Sequence, residues 1–223
     1  MAFANVRKVA EADFPTRWGH FRIFGFAGER ADEAPQPGCE TVPSQNGQPE
    51  EIVALVMGDV SSVPPIVRIH SQCLTGDVFG SLRCDCRLQL ELALRTIAEE
   101  GAGILLYEQQ EGRGIGLMPK LQAYGLQDKG LDTVEANEQL GYKADCREFE
   151  LPAEVLKLMG IMQVRLITNN PAKVAALEAA GIRVVERISA VVESQESFEK
   201  YLQVKREKMG HLGDEEKTGP TAP

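Results

Sequence analysis

The chain has 223 residues, of which 26% are charged and 43% hydrophobic, the proportions of a folded domain with a sizeable core rather than of a disordered chain. Its 24 Lys and Arg against 33 Asp and Glu give a net charge of −9, which argues against a broad basic face for nucleic acid but allows one small anion held by a few local cations. No apolar run approaches the roughly 20 residues that span a bilayer, and Met1 to Arg7 lack a basic flank leading into an apolar block, so the expectation is no membrane and a cytoplasmic setting.

The bulky apolar residues Trp18, Phe21, Ile23, Phe24 and Phe26 predict a strand. Residues 28–50 are rich in Gly, Pro, Gln and Glu and predict a mobile loop, with Cys39 an exposed thiol inside it. Strands are expected over 51–58 and 66–70, antiparallel because the connections are too short for crossover helices. Helical spacing of Leu88, Leu92 and Ile97 follows, stopped by Gly101, and then a buried strand over 103–107. Helices are predicted near 117–129 and from Pro152 to Gly160. A strand over 163–168, a helix capped by Asn170 and started by Pro171, and a final strand over 182–188 form a parallel unit. The fold class is therefore α/β, a mixed sheet flanked by helices with a β-rich N-terminal part. The tail beyond Leu212 is expected to be disordered.

Five cysteines, an odd number, do not suggest a disulfide framework. Three of them, Cys73, Cys84 and Cys86, fall within fourteen residues. Three thiolates with an open fourth tetrahedral position suit a catalytic zinc. Buried thiols without metal, or a structural site completed by Cys146 or His70, remain open alternatives on spacing alone. Arg68, His70, Ser71, Thr75, Asp77, Ser81, Arg83 and Asp85 crowd the thiols with polar groups that a structural knuckle does not need.

Glu111 to Gly116 follows a predicted strand, opens a predicted helix and carries Arg113, so it is either a phosphate-approaching turn or a bare glycine turn. Thr168, Asn169, Asn170 and Lys173 sit where a strand ends and a helix starts, a second anion candidate with a simple N-cap as its alternative. A metal that activates water beside two anion sites points to hydrolysis of a phosphorylated small molecule.

The runs Arg68 to Asp77 with Ser81 to Cys86, Gln110 to Leu117, Asp132 to Asn137, Leu166 to Pro171 with Lys173, and Lys208 to Leu212 together resemble GTP cyclohydrolase II in order along nearly the whole chain. The resemblance implies one catalytic domain over 4–212. Its reaction would open the imidazole ring of GTP and release formate and pyrophosphate, leaving 2,5-diamino-6-ribosylamino-4(3H)-pyrimidinone 5′-phosphate, the entry to riboflavin synthesis. It implies zinc on Cys73, Cys84 and Cys86, magnesium with the substrate phosphates, and a homodimer. It also implies a GTP site lined by Arg68, Ile69, His70, Ser71, Gln72, Gln89, Glu111, Gly112, Arg113, Thr133, Thr168 and Lys173. Tyr124 matches the family tyrosine tied to formate release, Asp145 the family's general base, and Arg147 the nucleophile on the α-phosphorus. A charge-stabilising role for Arg147 is chemically easier, because a guanidinium is a poor nucleophile. Gln72, Arg87 and Glu108 depart from the commonest family pattern. Some relatives carry a fused 3,4-dihydroxy-2-butanone 4-phosphate synthase domain, for which 223 residues leave no room, so only the cyclohydrolase reaction is expected. Cys39 and Cys146 are left as bystanders.

Overall fold

The computed structural model describes residues 3–31, 38–39, 49–192 and 198–212. Most of the loop expected to be mobile, and all of the tail expected to be disordered, lie outside these residues. The described strands form one seven-stranded sheet in the order β1-β2-β3-β5-β4-β6-β7. Its first half is antiparallel: β1 (Phe3–Thr16), β2 (Gly19–Arg30), β3 (Glu50–Met57) and β5 (Gly103–Glu108) pair in that sequence. The second half is parallel: β4 (Ile66–Ser71) pairs with β5 and with β6 (Gln163–Ile167), and β6 with β7 (Arg183–Ile188).

Two strand expectations are corrected here. Residues 3–16 form the longest strand, although they were not predicted as one. The burial pattern of β1 is almost entirely exposed, so it lacks the apolar alternation that marks a half-buried strand. The short link between β3 and β4 also does not make them antiparallel neighbours. Strand β5 inserts between the two, so β4 lies inside the parallel half.

Alternation along the inner strands sorts the core onto two faces. Val67, Ile69, Ile104, Leu106, Val164 and Leu166 face the apolar sides of α4 (Glu150–Leu158) and α5 (Pro171–Ala179). Ile66, Leu105 and Ile167 face Ala93, Leu94 and Ile97 of α1 (Cys86–Glu100). Period-two burial covered on both sides explains why these strands read as nearly continuous apolar runs. Helix α1 stops at Gly101, which takes φ 76 as its left-handed cap. Asn170 caps α5 by accepting from the Ala172 N–H, with Pro171 in the first turn, as predicted.

Three further helices complete the described chain: α2 (Leu117–Gln127), α3 (Thr133–Gln139) and α6 (Glu199–Met209). Asp132 and Glu135 form a reciprocal capping box at the start of α3. From β4 the chain passes through α1 to β5 on one side. From β5 it crosses to β6 on the other. Ligands bind where connections diverge in this way, beyond the carboxyl ends of the parallel strands. Those ends are Ser71, Glu108 and Ile167.

Candidate active site

A cleft lies beyond those strand ends and has two lobes. One holds about 660 Å³ of space and is lined by the three clustered cysteines, Glu111 to Arg113, Lys120, Tyr124 and Thr133. The other holds about 530 Å³ and is lined by Arg68, His70, Gln89, Thr168 and Lys173. Ser71, Cys86, Arg113, Arg147 and Tyr201 line both, so the lobes adjoin.

In the first lobe, Cys73 precedes a π-helical turn over Leu74–Val78, while Cys84 and Cys86 flank the start of α1. The three sulfurs lie within 4.8 Å of one another, and those of Cys73 and Cys84 are 3.7 Å apart. A tetrahedral zinc with bonds of about 2.3 Å sets its sulfur ligands about 3.8 Å apart, so the donor set fits that ion. The charge balance points the same way. Hydrogen bonds from Cys84 and Cys86 and the nearby Lys120 charge push the Cys73 thiol down, while the Cys84 thiol is raised to about 11 and that of Cys86 rises well above its ordinary value. Three thiols this close cannot all ionise without a cation between them. Gly76 makes the approach possible. A Cβ there would sit 3.1 Å from the sulfurs of Cys73 and Cys84.

His70 does not join the cluster as a fourth ligand. Its Nε2 is 3.2 Å from both Asp77 oxygens, and its ring stacks on Tyr107. Asp77 in turn accepts from the Cys73 N–H at 3.0 Å and the Tyr107 hydroxyl at 2.9 Å, which fixes the loop that carries Cys73. Cys146 does not complete the site either. It is disulfide-bonded to Cys39. The expectation of an exposed Cys39 and a bystander Cys146 is therefore corrected: Cys39 is only 5% exposed, and the bond spans 107 residues. The Lys143 N–H also donates to the Gly38 carbonyl at 3.2 Å, seating this part of the loop against residues 143–146. Spacing along the chain carries no signal for such a distant pairing.

Lys120 was not anticipated. Its ammonium lies 3.1 Å from Cys73 Sγ and 2.7 Å from Glu111 Oε1. Helical spacing was the available signal, since Lys120 and Tyr124 are four apart on α2 and both face the thiols. The Tyr124 hydroxyl is 3.2 Å from Thr75 Oγ1. Glu111 accepts from Lys120 and the Gly112 N–H through one oxygen and from the Leu74 N–H through the other. It therefore holds the two loops together.

The glycine-rich stretch opens α2 as expected, with Gly116 as the residue before its first turn. Over Glu111–Gly114 it makes a turn in which Gly112 and Arg113 both take left-handed φ, 63 and 61, and α2 begins at Leu117. Arg113 has φ 61 and is the one non-glycine residue with positive φ among the described residues. Such strain persists where the surroundings fix it, commonly at functional sites. Here the Cys146 N–H donates to the Arg113 carbonyl at 2.9 Å. A Cβ at Gly114 would come within 2.8 Å of the Cys146 carbonyl oxygen. The turn and the 145–147 segment are thus in direct contact, which puts Arg113 and Arg147 on the same cleft.

In the second lobe, Arg68 is buried, donating to the Ile167 carbonyl at 3.0 Å and to Gln89 Oε1 at 2.7 Å. Lys173 is not the solvated residue of the simple-cap alternative. It is buried and donates to the Ile69 carbonyl at 2.8 Å. Burial and neighbouring cations lower it, and burial brings Arg68 down to about 10. The Arg68 Nε and the Arg113 Nη2 are buried donors with no partner in the protein. Unmatched buried donors beside a cavity are costly unless an acceptor there, from water or a bound anion, meets them. Glu108 is also buried here, with Ser71 Oγ donating to it at 2.5 Å and burial raising its carboxyl.

Asp145 and Arg147 form a two-point ion pair, with Nε to Oδ1 at 2.9 Å and Nη2 to Oδ2 at 2.5 Å. It is not a surface pair, because the Arg147 side chain is only 13% exposed. Burial opposes both charges, yet each outweighs it for the other. Asp145 is held below the usual carboxylate range and Arg147 above its ordinary value.

Of the residues expected to line the cleft, Ile69 does not place its side chain there. It is fully buried in the core, and only its carbonyl reaches Lys173. Gln72, Gly112 and Thr133 line the cysteine lobe, and Gln89 the cationic one. Arg87 faces outward, 43% exposed, with its Nε 3.1 Å from Glu91, and so does not narrow the site. No helix among the described residues is long and apolar enough to cross a membrane.

Comparison with known proteins agrees with this geometry. Residues 7–189 match the family model described as GTP cyclohydrolase II. The chain is 51% identical over 209 residues to "GTP cyclohydrolase-2" of Enterobacter sp. (strain 638), covering 93% of this chain and 98% of the relative. It shows the same identity and coverage to "GTP cyclohydrolase-2" of Escherichia coli (strain K12 / DH10B). A solved structure of RibBX, a two domain 3,4-dihydroxy-2-butanone 4-phosphate synthase from A. baumannii, is a more distant likeness, with TM-score 0.44 and 16% identity over 85% of this chain and 41% of that one. With the family model matched over residues 7–189 and relatives 51% identical over 93% of the chain, this chain belongs to the GTP cyclohydrolase II family.

Proposed function

We propose that this protein hydrolyses GTP to 2,5-diamino-6-ribosylamino-4(3H)-pyrimidinone 5′-phosphate, formate and pyrophosphate. The observation that carries this reading is the adjacency of the two lobes, since GTP joins a ring to be opened and a triphosphate to be held. Cys73, Cys84 and Cys86 would hold zinc, which when bound supplies the Lewis acidity that makes water a nucleophile near neutral pH. The guanine lies in the cysteine lobe, where Tyr124 and Thr133 line its walls and Glu111 fixes the loops around it. Tyr124, beside the thiols, serves the step that frees formate.

The triphosphate, with magnesium, lies against Arg68, Arg113, Arg147, Thr168 and Lys173. Asp145 orients Arg147 and keeps it charged. A guanidinium held in its protonated form stabilises charge gathering on the phosphates and does not attack phosphorus. Asp145, held ionised with both oxygens on Arg147, is a positioning group rather than a proton acceptor. The family's homodimer and the catalytic unit over 4–212 are part of the same proposal. Mass spectrometry of a GTP digest with zinc and magnesium tests the reaction. The diaminopyrimidine phosphate is expected; GTP left intact, or an accumulated formylamino product, contradicts it.

A further inference from the structure

One motif of the family resemblance has no part in the cleft as described so far, the run from Lys208 to Leu212. It closes α6. Gly210 takes φ 64 as a left-handed cap, and the Leu212 N–H donates to the Asn169 carbonyl at 3.0 Å, which ties the turn to the end of β6 beside Thr168. The Lys205 ammonium meets Asp85 at 2.9 Å, and Lys208 meets Asp132 and Glu135 of the α3 capping box. Helix α6 is thus fastened at three places. The fastening brings His211 onto the wall of the cationic lobe.

The His211 ring is placed for a ligand that this lobe is built to take. Its Nε2 is buried without a partner in the protein, like the Arg68 Nε and the Arg113 Nη2. Leaving it so is costly unless something else meets it. Burial, and then Lys205, Arg147, Arg113 and Lys173, bring its pKa down to about 3, so it is uncharged in the empty lobe. A lysine at this place would add a further charge to that repulsion. An imidazole avoids it and still offers an N–H donor to an incoming oxygen.

We propose that His211 is a substrate-binding residue whose ring donates to the phosphates of the nucleotide, with α6 as the element that delivers it. This rests on GTP being the ligand of the cleft.

The test uses full-length protein loaded with zinc and titrated with a non-hydrolysable GTP analogue, with pyrophosphate and with guanosine. His211→Ala is expected to weaken the analogue and pyrophosphate about tenfold, the effect of one hydrogen bond to a charged group, while guanosine stays within about twofold. His211→Gln, which keeps an N–H donor, is expected to recover part of the loss. An unchanged affinity for the analogue and pyrophosphate in His211→Ala overturns the proposal, as does an equal loss for guanosine, which marks a merely structural role. If the unaltered protein binds guanosine and analogue alike or neither, the GTP reading itself fails, and this proposal with it.

Discussion

The two lobes of the cleft are built in opposite ways. The cysteine lobe draws its ligands from fourteen consecutive residues, folded back on themselves by one π-helical turn and by Gly76. The cationic lobe draws Arg68 from β4, Arg147 from an irregular segment, and Thr168 and Lys173 from the β6–α5 junction. These residues meet only when the parallel half of the sheet is assembled. A metal site needs donors at fixed short distances and is most simply written into one loop. A polyanion site needs summed charge over a longer reach, and separate elements can each contribute one cation. In the proposed function, the locally written lobe carries the bond-breaking chemistry and the assembled lobe the hold on substrate.

The sharpest way to break this division is to damage one lobe and read the other. Cys84→Ser is expected to lower turnover by a factor of about 1,000 or more, because it removes one of the three proposed zinc ligands, while the affinity for a non-hydrolysable GTP analogue falls no more than a few-fold. Isothermal titration beside a zinc assay measures both. A parallel collapse of affinity would show that the lobes are not separable.

A second test bears on how the assembled lobe is held. The Cys39–Cys146 bond anchors the segment between Asp145 and Arg147. In the chain-entropy view, a closed loop of about 100 residues stabilises by up to roughly 4.7 kcal/mol. Reduction, or Cys39→Ser, is expected to lower the melting temperature by several degrees and to reduce turnover while leaving zinc content unchanged. Thiol counting after denaturation should find three free groups before reduction and five after; five from the outset would remove the anchor from the account.

The smallest expected effect is on pH dependence. His70 and His211 are both lowered, each first by burial and then by neighbouring cations, with Asp77 opposing the shift at His70. A histidine whose folded pKa lies below its unfolded value of about 6.5 leaves stability in full above that value and removes it as pH falls toward the folded value, since the unfolded chain binds the extra proton. Melting temperature should therefore fall as pH drops from 7 to 5, and less steeply in His211→Gln. An equal slope in that variant would remove His211 from the effect.

How much of this was legible in the sequence follows the same contrast. The Cys73, Cys84 and Cys86 cluster could be read from spacing because its geometry is local. The Asn170–Pro171 helix start could be read because caps are local too. Strand β1 escaped because its residues are almost all exposed, and the placing of β4 escaped because short connections do not reveal an inserted neighbour. The Cys39–Cys146 bond and the burial of Lys173 depend on contacts about a hundred residues apart, which no periodicity encodes. The family resemblance pointed to Lys173, Arg147 and Asp145, but only the structure shows Asp145 locked onto Arg147 by both oxygens.

The most direct test of the whole account is a stoichiometry. Zinc-loaded protein is given GTP and magnesium, and formate and pyrophosphate are counted in the same sample. The account predicts one of each per GTP consumed, at a rate that rises in proportion to zinc bound per chain. Pyrophosphate or inorganic phosphate released without formate, or formate release independent of zinc, would contradict it.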